Sequence, residues 1–336
     1  MMQPPPQTPE KSSGAPLIEP LIAILGPTAS GKSALAVHLA HRFAGEVIAC
    51  DSAQVYRGFD IGTGKPTPAE RGGIAHHMLD VVGPGELFTA GEYRLRALDV
   101  LADLRRRRRL PIFTVGTGLY LRALLEGLAE APARSEALRA RLAVSATRRG
   151  GQHLHRLLRR LDPAAAARIS PNDRQKIVRA LEVCLLASKP MTAVLQDGRK
   201  PLPGYFPVKI GLHPPRAALY ARIDRRVQTM LERGWVREVQ ALLAGGAPPA
   251  AKKPFEFIGY RELRAHLEQA TPLAEAGKAI AQATRRYAKR QLTWFRKEAG
   301  VHWFPGFGDD PKIFAAVAVE IEKACPESFA PGKFSR

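Results

Sequence analysis

A chain of 336 residues with 45% hydrophobic content is long for a single core and points to one large domain plus an insertion or second lobe. It contains no apolar run of about 18 residues, which excludes a transmembrane helix, and residues 1–20, Pro-rich and polar, read as a disordered tail and not as a signal peptide. Fifty-one Lys and Arg against 31 Asp and Glu leave a formal charge of +20, which argues for a polyanionic partner, nucleic acid before membrane, since no basic amphipathic anchor stands out.

Leu21 to Leu25 is an apolar run that predicts a buried strand. Gly26-Pro27-Thr28-Ala29-Ser30-Gly31-Lys32-Ser33 then fills every fixed position of G-x-x-x-x-G-K-[ST], and Leu35, Val37, Leu39 and Ala40 recur near a helical period. Strand, glycine loop and helix together form a diphosphate site. Backbone N–H groups converge on the anion, the helix N-terminus adds its dipole, Lys32 supplies a point charge and the Ser33 hydroxyl can hold Mg²⁺. The motif leaves open whether the diphosphate belongs to a nucleotide.

A second strand over 46–50 ends at Asp51, so Asp51-Ser52-Ala53-Gln54 lies at the carboxyl edge where open α/β sheets bind ligands. A carboxylate there can ligate Mg²⁺, act as a general base or cap a turn. Residues 57–73, rich in Gly and Pro, read as a mobile loop, and His76–Val82 leads into a short strand. The adjacent His76 and His77 point to opposite sides of an extended chain, which argues against a paired metal site. A helix over 90–108 ends in the run Arg105–Arg109, best read as a solvated helix terminus. Leu110–Val115 is the next strand, and Gly116-Thr117-Gly118 turns it into a helix ending near Gly127. Thr117 thus joins Asp51 and the glycine loop at one crevice.

From 129 to 200 helical patterns follow one another with no strand between them, which predicts an all-helical insertion. Strand character returns at Tyr205–Leu212. The following helix sets Arg222, Arg226 and Met230 four apart on one face, where the arginines either clamp a diphosphate or pair with Asp224 or Glu232. Residues 201–310 therefore complete the core, and 311–336 form a last helix and tail. Within 279–298, basic residues interleave with Tyr287, Trp294 and Phe295, a pattern shared by RNA-binding surfaces and by core aromatics under a charged face. The fold class is α/β, a P-loop NTPase-like parallel sheet flanked by helices with an all-helical insertion domain. Three scattered cysteines, Cys50, Cys184 and Cys325, suit a reducing cytoplasm.

The ordered set GPTASGKSALA (26–36), DSAQVYRGFDIGTGKPT (51–67), HHMLDVV (76–82), GTGLYLRALLEGL (116–128), DRQKIVRALEV (173–183), RIDRRVQTM (222–230), FIGYREL (257–263) and ATRRYAKRQLTWFRK (283–297) resembles the bacterial tRNA dimethylallyltransferase family. The resemblance implies a monomeric prenyltransferase. It moves a dimethylallyl group, with Mg²⁺, from dimethylallyl diphosphate to the N6 amine of adenosine 37, beside the anticodon, in tRNAs reading codons that begin with U. It implies that Gly26–Ser33 and Arg222 hold the diphosphate, with Ser33 on Mg²⁺. Asp51 is then the general base, Thr117 positions substrate, and Lys32 and Arg222 stabilise the leaving group. It further implies tRNA contacts at Asp51, Ser52, Ala53, Gln54, Thr117 and Arg139. More follow at Gln175, Lys176, Ile177, Val178 and Arg179 and at Glu256, Phe257, Ile258, Gly259, Tyr260 and Arg261. Val115 stands where the family usually has a second glycine, and Lys176 where an arginine is more usual. An enzyme acting on free adenine nucleotides, a P-loop kinase or a non-catalytic RNA-binding module would each leave the helical insertion or the paired loop and Asp51 without a use.

Overall fold

The computed structural model describes residues 18–196, 198–245, 252–269 and 271–326; most of the expected N-terminal tail and the last residues of the chain lie outside them. Strands that are apolar on both faces need cover on both sides, the condition met in a parallel sheet. Here β1 (Glu19–Leu25), β2 (Gly45–Cys50), β3 (His76–His77), β4 (Leu110–Val115), β5 (Tyr205–Leu212) and β6 (Val301–Phe304) pair in the order β3-β2-β4-β1-β5-β6. All five pairings are parallel. Leu25, Val115 and Cys50 stand side by side in register, so β1, β4 and β2 end at one edge.

The first helices are α1 (Lys32–Arg42), α2 (Pro68–Arg71), α3 (Ala90–Arg106) and α4 (Gly118–Glu126). They are followed by α5 (Glu136–Arg149), α6 (Gly151–Leu161), α7 (Pro163–Arg168), α8 (Arg174–Ala187) and α9 (Met191–Gln196), with no strand between α4 and β5 among the described residues. The chain closes with α10 (Arg216–Glu232), α11 (Trp235–Ala244), α12 (Lys252–Phe255), α13 (Tyr260–Gln269), α14 (Leu273–Phe295) and α15 (Pro311–Ala324). Among the described residues, those up to Leu121 with those from Pro203 onward form one compact unit, and those between Arg122 and Leu202 form another.

In the sheet unit, Ile22 and Ile24 of β1 pack with Leu35 and Leu39 of α1, Val208 and Ile210 of β5, and Val317 and Ile321 of α15. The last helix is thus part of the sheet's own core. The alternate β1 residues Leu21, Ala23 and Leu25 are fully buried outside that cluster, as a strand covered on both faces requires. In the helical unit Leu142, Leu154, Leu158, Ile177 and Leu181 close a separate core, and Ser135, Asp162 and Asp173 cap α5, α7 and α8 by accepting backbone N–H bonds.

Four local expectations change. β1 starts at Glu19, two residues before the apolar run, because the ladder with β5 extends to Glu19–Tyr205 and Arg105 donates to the Glu19 carboxylate at 3.2 Å. The Gly/Pro-rich segment after Tyr56 is pinned. The buried Lys65 ammonium donates to Tyr56 O (2.6 Å), Asp60 (2.7 Å) and Asp80 (2.5 Å), and Glu238 accepts from the N–H groups of Asp60, Ile61 and Gly62. β3 stops at His77 because Met78 and Asp80 take left-handed conformations; His77 meets Glu46 at 2.7 Å and His76 meets Ile74 O at 2.9 Å, both structural contacts. The arginine run is only partly solvated, since Arg107 and Arg109 converge on the buried Glu46 carboxylate.

Candidate active site

The glycine loop folds because three of its residues accept left-handed or near-extended positive φ angles: Gly26 (151°), Ala29 (63°) and Gly31 (88°). Ala29 is the surprise. Its methyl is buried with Leu219, Ile223 and Ala288, and this packing holds a backbone conformation that an L residue disfavours. Gly31 begins α1 without any side-chain cap, leaving the first-turn N–H groups for a ligand. Lys32 Nζ donates to Gly26 O and Pro27 O at 2.9 Å each.

The loop opens on a cavity of about 730 Å³ that Thr28–Ala34 share with Asp51–Gln54, Gly62–Gly64, Gly116, Arg222, Arg226, Glu256–Ile258, Tyr287 and Gln291. Burial pulls the Lys32 ammonium down to about 8, against the opposing field of Asp51 and with a further push from Arg226. Burial raises the Asp51 carboxyl above its ordinary range, although the Ala53 and Gln54 N–H groups and Lys32 all favour its ionised form. Asp51 Oδ1 accepts from Ala53 N at 2.8 Å. Gly116 makes room for the carboxylate, since a Cβ there would collide with Asp51 Oδ2. Thr117 Oγ1 accepts from Ser52 N at 3.0 Å and donates to Ser52 Oγ at 3.2 Å, so it braces the turn that carries Asp51.

Sequence reasoning missed three of the residues that hold this site together. Gln291 accepts from Thr28 N at 2.8 Å and donates to Gly116 O at 2.9 Å, joining the glycine loop to the end of β4. It is a lone amide on the buried stripe Ile280, Ala281, Ala288, Phe295 of α14, and that interruption was the available signal. Glu238 gathers three N–H groups of the 60–62 turn and the Tyr260 hydroxyl (2.6 Å) on one carboxylate. Asp309 takes Arg222 in a two-pronged pair at 2.8 and 2.9 Å, in place of the Asp224 or Glu232 expected from spacing. Asp224 pairs instead with Arg285.

Among the described residues no group of three or more His, Cys, Asp or Glu is arranged to hold a metal ion. The oxygen donors that line the cavity include the exposed Ser33 hydroxyl and the Asp51 carboxylate. That sparse set suits a Mg²⁺ ion carried mainly by phosphate oxygens and water.

The IPP transferase family model matches residues 54–298, and the isopentenyl transferase model matches residues 20–83. Two bacterial tRNA dimethylallyltransferases are each 51% identical. The Koribacter versatilis protein aligns over 298 residues (87% of this chain, 95% of that protein), and the Solibacter usitatus protein over 294 (88% and 95%). This chain belongs to the tRNA dimethylallyltransferase family. The crystal structure of the tRNA isopentenylpyrophosphate transferase from Bacillus halodurans superposes with a TM-score of 0.66 at 38% identity, covering 92% of this chain and 98% of that one. A eukaryotic dimethylallyltransferase acting on tRNA gives 0.73 at 26% identity, covering 94% and 85%.

The tRNA contacts that the resemblance implies differ in their exposure. Ser52, Ala53, Gln54, Glu256, Phe257 and Ile258 line the cavity, and Gln175, Lys176 and Arg261 are exposed. Ile177 (1% exposed) and Tyr260 (0%) are core residues and Gly259 is buried against Trp235, so none of these three offers a free side-chain surface; Val178 is half-buried against the helical core. Arg139 and Arg179 both donate to Glu182, a fully buried carboxylate. Burial pushes Glu182 up, but the two guanidinium groups and the Ser135 N–H bring it to about 2. In α14 the core reading holds for Phe295 (1% exposed), whereas Tyr287 is half-buried, lines the cavity and donates its hydroxyl to Gly116 O at 3.3 Å, and Trp294 is exposed.

Proposed function

We propose that this enzyme transfers a dimethylallyl group from dimethylallyl diphosphate to the N6 amine of adenosine 37 in tRNA. One observation carries the reading: the glycine loop, with its uncapped helix N-terminus, and a carboxylate of raised pKa line one cavity. A volume of about 730 Å³ is of the size that holds a small ligand with an adenine ring beside it.

The diphosphate lies on the loop N–H groups, Lys32 and Arg222. As the allylic C–O bond breaks, negative charge grows on the departing diphosphate, and these fixed positive groups stabilise it. The N6 lone pair forms the new C–N bond while Asp51 accepts the proton that the amine gives up. Burial raises the basicity of Asp51 for this task, while Lys32 and the Ala53 N–H favour its ionised form. Ser33 and the diphosphate oxygens would hold Mg²⁺, which supplies further charge neutralisation when bound. The adenine leaves its stack to reach the cavity. Residues 122–202 carry sixteen Lys and Arg against seven Asp and Glu, a large part of the +20 excess, and this charge meets the phosphate backbone of the anticodon stem.

The test is transfer of labelled dimethylallyl group from its diphosphate, with Mg²⁺, to unmodified tRNA and to AMP in parallel. Label in tRNA alone, at the adenosine beside the anticodon, is the expected result. Label in AMP alone would move the enzyme to free-nucleotide chemistry, and label in neither with ATP turnover would make the loop a nucleotide site.

A further inference from the structure

The loop between β6 and α15 reaches across the glycine loop and ends on Arg222. Gly308 N donates to Ser30 O at 2.9 Å, and a Cβ at Gly31 would meet Gly308 N at 2.7 Å and Asp309 Oδ1 at 2.8 Å. The φ of 88° at Gly31 and this close approach both demand glycine there. The Arg222 guanidinium is then held from two directions. Asp309 takes both of its terminal nitrogens, and the Phe307 ring lies under it at 4.7 Å. Phe307 is itself seated against Ala29, Leu219 and Ile223, the cluster that also fixes the glycine loop.

Arg222 lines two neighbouring cavities: the one containing Lys32, Ser33 and Asp51, and a second of about 660 Å³. Asp309 lines only the second. The carboxylate therefore stands behind the arginine and not in the anion's place. An arginine side chain has four rotatable bonds, and fixing its fork beforehand lowers the entropy lost on meeting an anion. The end-on pair uses one N–H on each terminal nitrogen, which leaves Nε–H and two further N–H groups for a ligand.

We propose that Asp309 is a positioning residue: it aims Arg222 at the diphosphate of the allylic substrate, through a loop that is clasped to the phosphate-binding turn itself. This rests on the reading of the first cavity as the diphosphate site. Asp309 touches no substrate; it acts through Arg222.

The test measures inorganic diphosphate binding by calorimetry, and KM and kcat for dimethylallyl diphosphate, on the full chain with Arg222→Ala, Asp309→Asn, Asp309→Glu and the double variant. Asp309→Asn is expected to weaken diphosphate binding and raise KM by about tenfold. Asp309→Glu should restore part of the loss, tRNA affinity should hold, and in the Arg222→Ala background Asp309→Asn should have no further effect. Additive losses in the double variant, with a lowered melting temperature, would reduce Asp309 to a structural clasp. Tighter diphosphate binding in Asp309→Asn would make the carboxylate a competitor for the arginine, and would also overturn the proposal. If Arg222→Ala leaves diphosphate binding untouched, the reading of the cavity fails first.

Discussion

Replacing Gly116 by Ala adds one methyl group and tests the proposed base directly. Gly116 does not adopt a left-handed φ, so the backbone tolerates a side chain. The obstacle is Asp51: a Cβ at position 116 would lie 3.0 Å from its Cγ and far inside contact distance of Oδ2. The backbone cannot yield easily, because Gly116 N donates to Cys50 O at 3.0 Å while Gly116 O accepts from Gln291 and Tyr287. The carboxylate must retreat by more than about 1 Å, and misplacement on that scale costs about 10²-fold in rate, or about 2.7 kcal/mol of barrier. The expected variant binds dimethylallyl diphosphate and tRNA as before but shows kcat reduced by about that factor in single-turnover transfer of labelled dimethylallyl group. Thermal melting separates this outcome from loss of fold. Wild-type kcat in Gly116→Ala would refute Asp51 as the proton acceptor in this geometry.

The pH profile of kcat/KM for dimethylallyl diphosphate reports groups of the free enzyme. Lys32 lies near 8, so the rate should fall as pH rises past about 8 and the ammonium is lost; Lys32→Arg should carry this limb to higher pH, and an unmoved limb would assign it to another group. Gln291→Ala removes the acceptor of the half-buried Thr28 N–H and one of the two donors to Gly116 O, at a cost of about 1 kcal/mol, read as a lower urea midpoint together with a raised KM for the diphosphate. Gln291→Glu keeps the acceptor for Thr28 N but loses the donor to Gly116 O and sets a carboxylate in the cavity that holds the diphosphate, so it should raise KM further and not restore stability. Glu182→Ala strands two arginines around an empty buried position and should destabilise the protein by about 2 to 3 kcal/mol, allowing for the partial exposure of both arginines. The Glu182 carboxyl is lower in the folded state than its ordinary value. Its stabilisation is therefore full above about pH 4.3 and should fade as pH drops toward about 2, a dependence the Ala variant should lack.

The elements whose signal is local were legible in the residues alone. β4 and β5 keep the bounds that their apolar runs announced, and the glycine loop, Asp51 and Thr117 arrive at one edge because each follows a strand of the same parallel sheet. The insertion was legible as the absence of strand pattern between α4 and β5. Exposure was not. Ile177 and Tyr260 stand inside motifs that read as tRNA contacts, yet each faces a core, because a short motif on a helix includes its buried face as well as its open one.

What the chain order by itself determined was the chemistry available: a phosphate-binding turn, a carboxylate one strand away and a strongly basic body. What only the tertiary structure decided was the set of partners that aim those groups. Gln291 meets Thr28 across 263 positions, Arg222 meets Asp309 across 87, and Glu238 meets Ile61 across 177. No periodicity links such residues, since each pair is brought together by separate elements docking on the sheet and not by any repeat along one helix or strand.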